Sequence, residues 1–266
     1  MRGLLIDLDG VMYTGREAIP GSAGFLAAAR EHGMPFLLVT NDSTASPQHV
    51  ADRLRGMHMP VEAREIVTSA QAAAGYVRAH TPGSATPRVR LIGEAGLRAA
   101  ALEQGLVLVE DGARDVDWLI AGLDRAFDYE KLTLATRSIR AGARFLATNA
   151  DALLPIEGGE VIPGAGSIIA AIRTASAVEP IVVGKPQPGL FEHGLRRLGD
   201  PPPAQVAMIG DRLDTDVVGA RRAGLRTILT LSGVTHANDL VGLAASEHPE
   251  AVVPNLAAVA TLLGWT

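Results

Sequence analysis

The chain has 266 residues, of which 47% are hydrophobic and 20% charged, a composition that excludes a disordered or collagen-like protein. Its 24 Lys and Arg against 29 Asp and Glu give a net charge of −5 without a basic cluster, which argues against a nucleic-acid-binding surface. The absence of cysteine excludes disulfides and thiolate sites, and no apolar run approaches the roughly 18 residues that span a bilayer. We therefore predict a cytoplasmic protein without nucleic-acid or membrane partners.

Short apolar segments alternate with alanine-rich helical segments from the start of the chain. The sequence predicts, in chain order, a strand at 3–8, a helix at 22–32, a strand at 35–40, and helices at 47–57 and 69–79. A stretch rich in Pro, Gly, Ser and Thr then predicts a linker at 80–87.

The same alternation continues beyond the linker. Strands are predicted at 88–92, 106–109, 117–121, 144–148, 181–183, 205–209, 226–231 and 251–253, and helices at 94–104, 128–141, 165–177, 188–198, 214–223 and 255–263. Strands that alternate with helices predict βαβ units and a mainly parallel sheet. The linker and a turn-rich join near residue 180 indicate a middle domain, 80–180, inserted into an outer one, 1–79 and 181–266.

Two carboxylates follow the first predicted strand. Asp7 and Asp9 are two residues apart, so the period of a strand points both to the same side, and Gly10 permits a turn away from the sheet. Such a pair is repulsive unless a cation lies between the acids or one is protonated. Two solvated acids before a turn are the alternative; the apolar run directly before them favours a functional pair.

Three further polar clusters follow predicted strands. Thr40 and Asn41 end the second strand and offer donors for a phosphate oxygen. Lys185, between a glycine and a proline, could neutralise a phosphoryl group, although a solvated lysine is the alternative. Asp211 follows another apolar strand, and capping of the next helix accounts for Asp214 but not for Asp211.

Each of these clusters follows a predicted strand, so all of them are expected at the carboxyl edge of the predicted sheet. Ligands and catalytic groups of open α/β sheets collect at that edge. Carboxylate ligands without His or Cys select Mg²⁺ over Zn²⁺. A carboxylate nucleophile that forms an aspartyl-phosphate is a known covalent strategy. With no Walker-type G-x-x-x-x-G-K-[ST] loop in the sequence, the residues favour Mg²⁺-assisted phosphoryl transfer of another kind.

The four clusters, in this order, resemble the motifs of the haloacid dehalogenase-like hydrolase superfamily: DLDGVMY, LLVTND, VVGKPQP and MIGDRLDTD. A long insertion contains ATNADALLP and VIPGAGSIIAAI, and LSGVT follows later; these resemble the subclass IIA capped (NagD-like) phosphatases. The resemblance covers essentially the whole chain. It implies an α/β fold with a Rossmann-like parallel-sheet core, 1–79 and 181–266, and an inserted α/β cap for substrate specificity, 80–180.

The resemblance implies catalytic and phosphate-binding roles for the matching residues. Asp7 is similar to the nucleophile of the family, and Asp9 to its general acid and base. Lys185 is similar to the lysine that holds the phosphate and the nucleophile, and Thr40 and Asn41 to the residues that bind the phosphate.

It also implies a Mg²⁺ site. Asp211 matches the side-chain ligand that acts beside Asp7 and the backbone carbonyl of Asp9. Asp216 matches an acid directly behind that ligand.

The inserted segment bears on the choice of substrate. Asn149 and Asp151 are similar to cap residues that face the site. Leu154 stands where relatives that resemble pyridoxal phosphate phosphatases have His, and Leu153 where phosphoglycolate phosphatases have Arg. A leucine offers no counter-charge to a substrate carboxylate. We therefore predict a preference for polyol or sugar phosphates; packing of both leucines within the cap is the alternative.

Two positions depart from the family pattern. Asp42 stands where many relatives have Asn, and Ala45 where many have a basic residue. An extra acid near a phosphate weakens binding unless its side chain points away, so phosphate affinity and substrate charge depend on its orientation.

The leading hypothesis is a Mg²⁺-dependent phosphoric monoester hydrolase that acts on a small-molecule phosphomonoester. A phosphotransferase or mutase with the same aspartyl-phosphate, and a catalytically silent phosphate-binding module, are the alternatives. The physiological substrate and the oligomeric state, a homodimer among the options, stay open at this point.

Overall fold

A computed structural model describes residues 1–81, 86–155 and 160–265. The contacts within the chain divide it into two compact units. The first unit comprises Met1–Thr40, Gln48–Val67 and Lys185–Thr266, and the second comprises Asn41–Pro47 and Thr68–Gly184. Along the chain, the second unit therefore interrupts the first twice.

The elements of the described residues follow the predicted alternation closely. In chain order they are β1 (Gly3–Asp7), β2 (Tyr13–Thr14), β3 (Glu17–Ala18), α1 (Ser22–Glu31), β4 (Phe36–Thr40), α2 (Pro47–Gly56), β5 (Ile66–Thr68), α3 (Ser69–Ala79), β6 (Arg88–Ile92), α4 (Ala95–Glu103), β7 (Val107–Leu108), β8 (Trp118–Ala121), α5 (Tyr129–Arg140), β9 (Arg144–Ala147), β10 (Leu153–Pro155), β11 (Val161–Pro163), α6 (Ala165–Ser176), β12 (Ile181–Val182), α7 (Pro188–Arg197), β13 (Val206–Gly210), α8 (Val218–Arg222), β14 (Arg226–Thr230), β15 (Ala251–Val253) and α9 (Leu256–Leu262).

The first unit is built on a six-stranded sheet with the order β15-β14-β13-β1-β4-β5. Neighbours from β15 to β4 pair in parallel, and every residue of β1, β4 and β13 is buried, as expected of strands covered on both faces. The chain proceeds from β1 to one side and later returns to the other side. A site is expected at the carboxyl end of β1, where this strand order reverses.

The second unit has its own five-stranded parallel sheet with the order β12-β9-β8-β6-β7, and an antiparallel β10–β11 hairpin. Aliphatic residues of α5 and α6 form a buried core with those of the sheet. Its members are Ile92, Leu119, Ala121, Ala135, Ile139, Phe145, Ala147, Ile168, Ile169 and Ile172. The predicted α/β fold class with a parallel-sheet core is therefore confirmed.

The compact units depart from the predicted domain boundaries. The helix α3 packs against α4, so it groups with the second unit, whereas the sequence assigns residues up to 79 to the first domain. The second unit also extends to Gly184 rather than to residue 180, because the strand predicted at 181–183 for the outer domain forms β12, which pairs with β9 in the sheet of the second unit. Which of these segments acts as a cap stays a prediction, and residues 82–85 of the predicted linker lie outside the described residues.

Four shorter features were not predicted. The hairpin β2–β3, the strand β5 and the hairpin β10–β11 have two or three residues per strand, too few for a periodic signal. The predicted helix at 214–223 begins with a π-helical turn, Leu213–Val217, because the carbonyl of Arg212 accepts the N–H groups of both Asp216 and Val217. No helix in the described part of the chain is long and apolar enough to cross a membrane.

Candidate active site

Lys185 lies at the centre of a buried charged cluster in the first unit. Its Nζ is 2.6 Å from Oδ1 of Asp7 and 2.7 Å from Oδ1 of Asp216, and its side chain is 4% exposed. Burial alone lowers the pKa of Lys185, but the carboxylates of Asp216 and Asp7 outweigh it and raise the pKa above its ordinary value. Lys185 is therefore held as an ammonium between two acids.

Carboxylates outnumber the ammonium in this cluster. Asp7, Asp211 and Asp216 each place one oxygen within 4.8 Å of the others. Burial, followed by the charge of Asp216, raises the pKa of Asp211 to about 6. Burial also raises the pKa of Asp7 well above its ordinary value, against the opposing effect of Lys185. A buried site with excess negative charge is costly until a cation joins it.

Only one of the two carboxylate oxygens of Asp211 accepts a hydrogen bond. Its Oδ2 accepts the backbone N–H of Val234 at 2.6 Å, whereas its buried Oδ1 has no hydrogen-bond partner. The turn at Gly10, with φ of +78°, and the loop at Gly233 approach this carboxylate so closely that a Cβ at either position would collide with it. An orphaned oxygen in a set of hard carboxylate donors fits Mg²⁺, which prefers oxygen ligands.

Asp216 supports the cluster with both of its oxygens occupied. Oδ1 accepts from Lys185, and Oδ2 accepts the backbone N–H of Arg212 at 3.1 Å. Arg212 rather than Asp214 occupies the N-cap position of this helix. The carboxylate of Asp214 accepts a hydrogen bond of 2.7 Å from the guanidinium of Arg212. That hydrogen bond lowers the pKa of Asp214.

Asp9 lies beyond the end of β1, with its side chain exposed. Its Oδ2 accepts a hydrogen bond of 3.2 Å from the hydroxyl of Tyr13, a residue that is 1% exposed. Arg53 on α2 donates to the same hydroxyl at 2.5 Å. Burial and the charge of Asp9 raise the pKa of Tyr13 above its ordinary value, so the phenol keeps its proton.

Thr40 ends β4, the strand next to β1, and its side chain is 4% exposed. The register sets Asp7 beside Val39, so Thr40 lies at the same edge of the sheet as Asp7. The structure thus brings Asp7, Thr40, Lys185, Asp211 and Asp216 together in the first unit.

Asn41 belongs to the second unit, where it joins Asn149 and Asp151. The Nδ2 of Asn41 donates to Oδ2 of Asp151 at 3.0 Å, and the Nδ2 of Asn149 donates to the carbonyl of Asn41 at 2.8 Å. The backbone N–H of Asp151 in turn donates to Oδ1 of Asn149 at 3.1 Å. Three hydrogen bonds thus link the members of this amide cluster, which we define as Asn41, Asn149 and Asp151. The predicted contacts of its members with substrate stay predictions.

Asp42 and Ala45, the two departures from the family pattern, both contact residues of the second unit. Oδ1 of Asp42 accepts both the backbone N–H and the hydroxyl of Thr44, each at 2.7 Å, so this carboxylate is held in its own turn. The backbone of Ala45 lies against Gly96, whose N–H donates to the carbonyl of Thr44 at 2.8 Å.

Four residues that the sequence did not single out contact the charged cluster or support Asp9: Tyr13, Arg53, Gly233 and Val234. Gly233 and Val234 fall in LSGVT and Tyr13 in DLDGVMY, both of which mark the family resemblance, but their spacing gives no sign of which carboxylate they contact. Arg53 stands on a helix surface and carries no sequence signal of its role.

Comparisons with known proteins agree with the motifs. A family model for Haloacid dehalogenase-like hydrolase matches residues 4–107, and a HAD-hydrolase-like model matches residues 182–259. The acid sugar phosphatase of Staphylococcus aureus (strain USA300) is 39% identical over 239 residues, which cover 90% of each chain.

Solved structures show the same similarity. A glycerol phosphate phosphatase from Mycobacterium tuberculosis in complex with magnesium matches with a TM-score of 0.87 and 35% identity, over 96% of this chain and 75% of that one. NagD from E. coli K-12 matches with a TM-score of 0.87 and 29% identity, over 97% of each chain.

The chain belongs to the haloacid dehalogenase-like hydrolase superfamily, in its subclass IIA of NagD-like phosphatases. The predicted family and the predicted enzyme class, a phosphoric monoester hydrolase, are confirmed. The carboxylate set of this chain, together with the magnesium of the glycerol phosphate phosphatase, confirms the predicted cofactor, Mg²⁺.

Proposed function

We propose that this enzyme is a Mg²⁺-dependent phosphatase of small phosphomonoesters, with polyol or sugar phosphates favoured, and that it acts through an aspartyl-phosphate on Asp7. The observation that carries the proposal is the buried contact of 2.6 Å between Lys185 and Asp7, in a cluster where Asp211 keeps one oxygen without a partner. An acid that is fixed by an ammonium beside excess carboxylates suits phosphoryl transfer better than a structural role.

Asp7 is the nucleophile in this mechanism. One carboxylate oxygen attacks phosphorus, the bond from phosphorus to the ester oxygen breaks, and an aspartyl-phosphate forms. Lys185 holds Asp7 in place and offsets the negative charge of the transferring group. Its contact with Asp216 keeps the ammonium at this position.

Asp9 moves the protons in both half-reactions. Its carboxylic acid protonates the leaving alkoxide, and the resulting carboxylate then takes a proton from the water that attacks the aspartyl-phosphate. The attack releases inorganic phosphate and regenerates Asp7. The exposure of Asp9 suits a group that must reach both a leaving oxygen and a water molecule.

Asp7 and Asp211, with the backbone carbonyl of Asp9, would hold Mg²⁺. When bound, Mg²⁺ supplies positive charge that offsets the charge of the phosphoryl oxygens. Asp216 stays with Lys185, since both of its carboxylate oxygens already accept hydrogen bonds.

We assign phosphate binding to Thr40 and Asn41, and selection of the leaving group to Asn149 and Asp151. Leu153 on β10 is 58% exposed, so its side chain is not buried in the core of the second unit. A leucine offers a substrate carboxylate no counter-charge, whereas neutral, hydroxylated leaving groups need none. The acid sugar and glycerol phosphate phosphatases among its relatives support this choice of substrate class.

The test is release of inorganic phosphate from glycerol phosphate, sugar phosphates and phosphoglycolate, with Mg²⁺ and with excess chelator. We expect Mg²⁺-dependent release and a higher kcat/KM for the neutral leaving groups. Transfer of the phosphoryl group to an added alcohol in preference to water would identify a phosphotransferase instead. Absence of turnover on every substrate would favour a silent binding module, and preference for phosphoglycolate would contradict the substrate class.

A further inference from the structure

The hydroxyl of Tyr13 links a cation to the exposed carboxylate of Asp9. It lies 3.2 Å from Oδ2 of Asp9 and 2.5 Å from a terminal nitrogen of Arg53. The guanidinium carbon of Arg53 also lies 4.8 Å from the centre of the Tyr13 ring. Arg53 therefore contacts both the ring and the hydroxyl of one buried side chain.

The chemistry of the three groups allows one arrangement of protons. A guanidinium only donates and a carboxylate only accepts, so the phenol oxygen accepts from Arg53 and its single proton goes to Asp9. Hydrogen bonds in such a chain polarise one another, which strengthens the bond to the carboxylate.

The backbone holds Tyr13 at this place. Its N–H donates to the carbonyl of Leu8, and its carbonyl accepts the N–H of Gly10 at 2.8 Å. The ring is 1% exposed, so it cannot follow a moving Asp9. Tyr13 is therefore a fixed donor to one oxygen, Oδ2, of the exposed Asp9.

We infer that Tyr13, held by Arg53, is a positioning residue: by donating to Oδ2 it orients the carboxyl group of Asp9, whose Oδ1 carries the proton that goes to the leaving oxygen. This inference rests on the proposed function of Asp9 as the general acid. Nothing in the packing of the ring itself requires the hydroxyl, because a phenylalanine fills the same volume.

The test compares leaving groups that differ in their need for a proton. Tyr13→Phe removes the hydroxyl and keeps the ring under Arg53. We expect kcat/KM for phenyl phosphate and glycerol phosphate to fall by about 10- to 100-fold, and that for p-nitrophenyl phosphate by less than about 3-fold, because a good leaving group departs without an acid. An equal loss on all three substrates would overturn the inference.

A double-mutant cycle separates action through Asp9 from a general effect. Asp9→Asn is expected to show the same dependence on leaving group, and adding Tyr13→Phe to it should cause no further loss. Additive losses would overturn the inference while leaving the acid role of Asp9 intact. If Asp9→Asn loses equally on all substrates, the acid role itself fails, and the inference fails with it.

Two further variants serve as a second test and a control. Arg53→Met removes the cation from an exposed helix position, so it tests the inference even if Tyr13→Phe folds poorly. We expect a smaller loss of kcat/KM than in Tyr13→Phe, with the same ranking of the three substrates. Tyr129→Phe deletes the hydroxyl of a tyrosine that is 83% exposed, and should change none of the three kcat/KM values. An unchanged Arg53→Met would overturn the part assigned to Arg53.

Discussion

The two units each carry a polar cluster, and the two clusters are balanced in opposite ways. In the first unit Asp7, Asp211 and Asp216 surround one ammonium, so negative charge is in excess and Oδ1 of Asp211 has no partner. In the second unit the amide cluster has one carboxylate, and three hydrogen bonds link its members. The first cluster therefore offers oxygen ligands to a cation, whereas the second is held together by hydrogen bonds between its own members.

We expect this difference to separate the chemistry of the reaction from the selection of the substrate. We expect the excess of buried charge to make the first cluster dependent on Mg²⁺ and pH, and to give each carboxylate a large effect on turnover. The second cluster holds one carboxylate and two amides and so fewer charges than the first, and we expect changes in it to alter specificity and leave the metal requirement unchanged. The variants below test that contrast, from the largest expected effect to the smallest.

Asp7→Asn should have the largest effect. The amide keeps the shape of the side chain but removes the nucleophile, so we expect kcat to fall by about 10⁴-fold or more. Phosphate release from glycerol phosphate at saturating Mg²⁺ measures this. Asp214→Asn, which removes a charge outside the cluster, is the matched control and should retain nearly full activity. A comparable loss in both variants would contradict a special role for Asp7.

Asp211→Asn should abolish the response to Mg²⁺. In the parent, Mg²⁺ at about 100 times its Kd should raise the free energy of unfolding by about 2.7 kcal/mol. The variant lacks the charge of the orphaned oxygen, so its Tm should be nearly independent of Mg²⁺. Thermal unfolding with Mg²⁺ and with chelator checks this without reference to activity; a full Mg²⁺ shift in the variant would exclude Asp211 as a ligand.

The metal-free protein should lose stability as the pH rises. The pKa of Asp211 rises from 3.8 to about 6 on folding, so the folded state holds a proton that the unfolded state has released. This contribution is fully present below about pH 4 and is lost as the pH passes about 6, a change of about 3 kcal/mol.

Denaturant unfolding in chelator at several pH values measures that loss. Asp7, whose pKa is also raised, acts in the same direction. Asp211→Asn should flatten the pH dependence between pH 4 and 7 (roughly the window of the Asp211 shift). A slope that is identical in the parent and the variant would show that Asp211 is not the group responsible.

Asn149→Ala should have a moderate effect. It removes a donor to the carbonyl of Asn41 and an acceptor for the N–H of Asp151, which costs about 1–3 kcal/mol of stability. We expect kcat/KM for glycerol phosphate to fall by about 10-fold, within the range that a lost positioning contact gives. The Mg²⁺ concentration for half-maximal activity should stay unchanged. A marked shift in it would show that the second cluster also affects the metal requirement.

Leu153→Arg should have the smallest effect on stability and a selective one on activity. The side chain is 58% exposed, so the change should cost within about 0.5 kcal/mol. A counter-charge at this position should raise kcat/KM for phosphoglycolate relative to glycerol phosphate. Leu102→Arg, at a similarly exposed position of α4, is the control. No gain on phosphoglycolate would show that residue 153 does not select the substrate.

The sequence predicts those parts of the fold that rest on continuous apolar runs. The strands that carry Asp7, Thr40 and Asp211 are buried on both faces, so they appear in the sequence as unbroken hydrophobic segments that end in polar residues. Because parallel strands align their carboxyl ends, this pattern was enough to group Asp7, Thr40 and Asp211. Lys185 follows β12, which pairs with β9 in the sheet of the second unit, so its contact with Asp7 does not follow from the single sheet that the sequence predicts.

Long-range contacts could not be predicted in the same way. Arg53 reaches Tyr13 across 40 residues and Val234 reaches Asp211 across 23, and neither contact has a periodic signal. The hydrogen bonds of Asn41 with Asn149 and Asp151 also depend on tertiary packing rather than on local pattern. Sequence therefore indicated which residues have suitable chemistry, and the structure showed how they are divided between two units.

The central position of β1 has a consequence for how the protein is made. β1 pairs with β4 on one side and with β13 on the other, yet β13 begins only at Val206. At about 5–20 residues per second, a ribosome leaves one edge of β1 unpaired for roughly 10–40 s after it emerges. Residues 68–184 are complete in that interval and can fold first. The nascent chain therefore depends on protection of this apolar edge, and the charged cluster forms only in the last stage of synthesis.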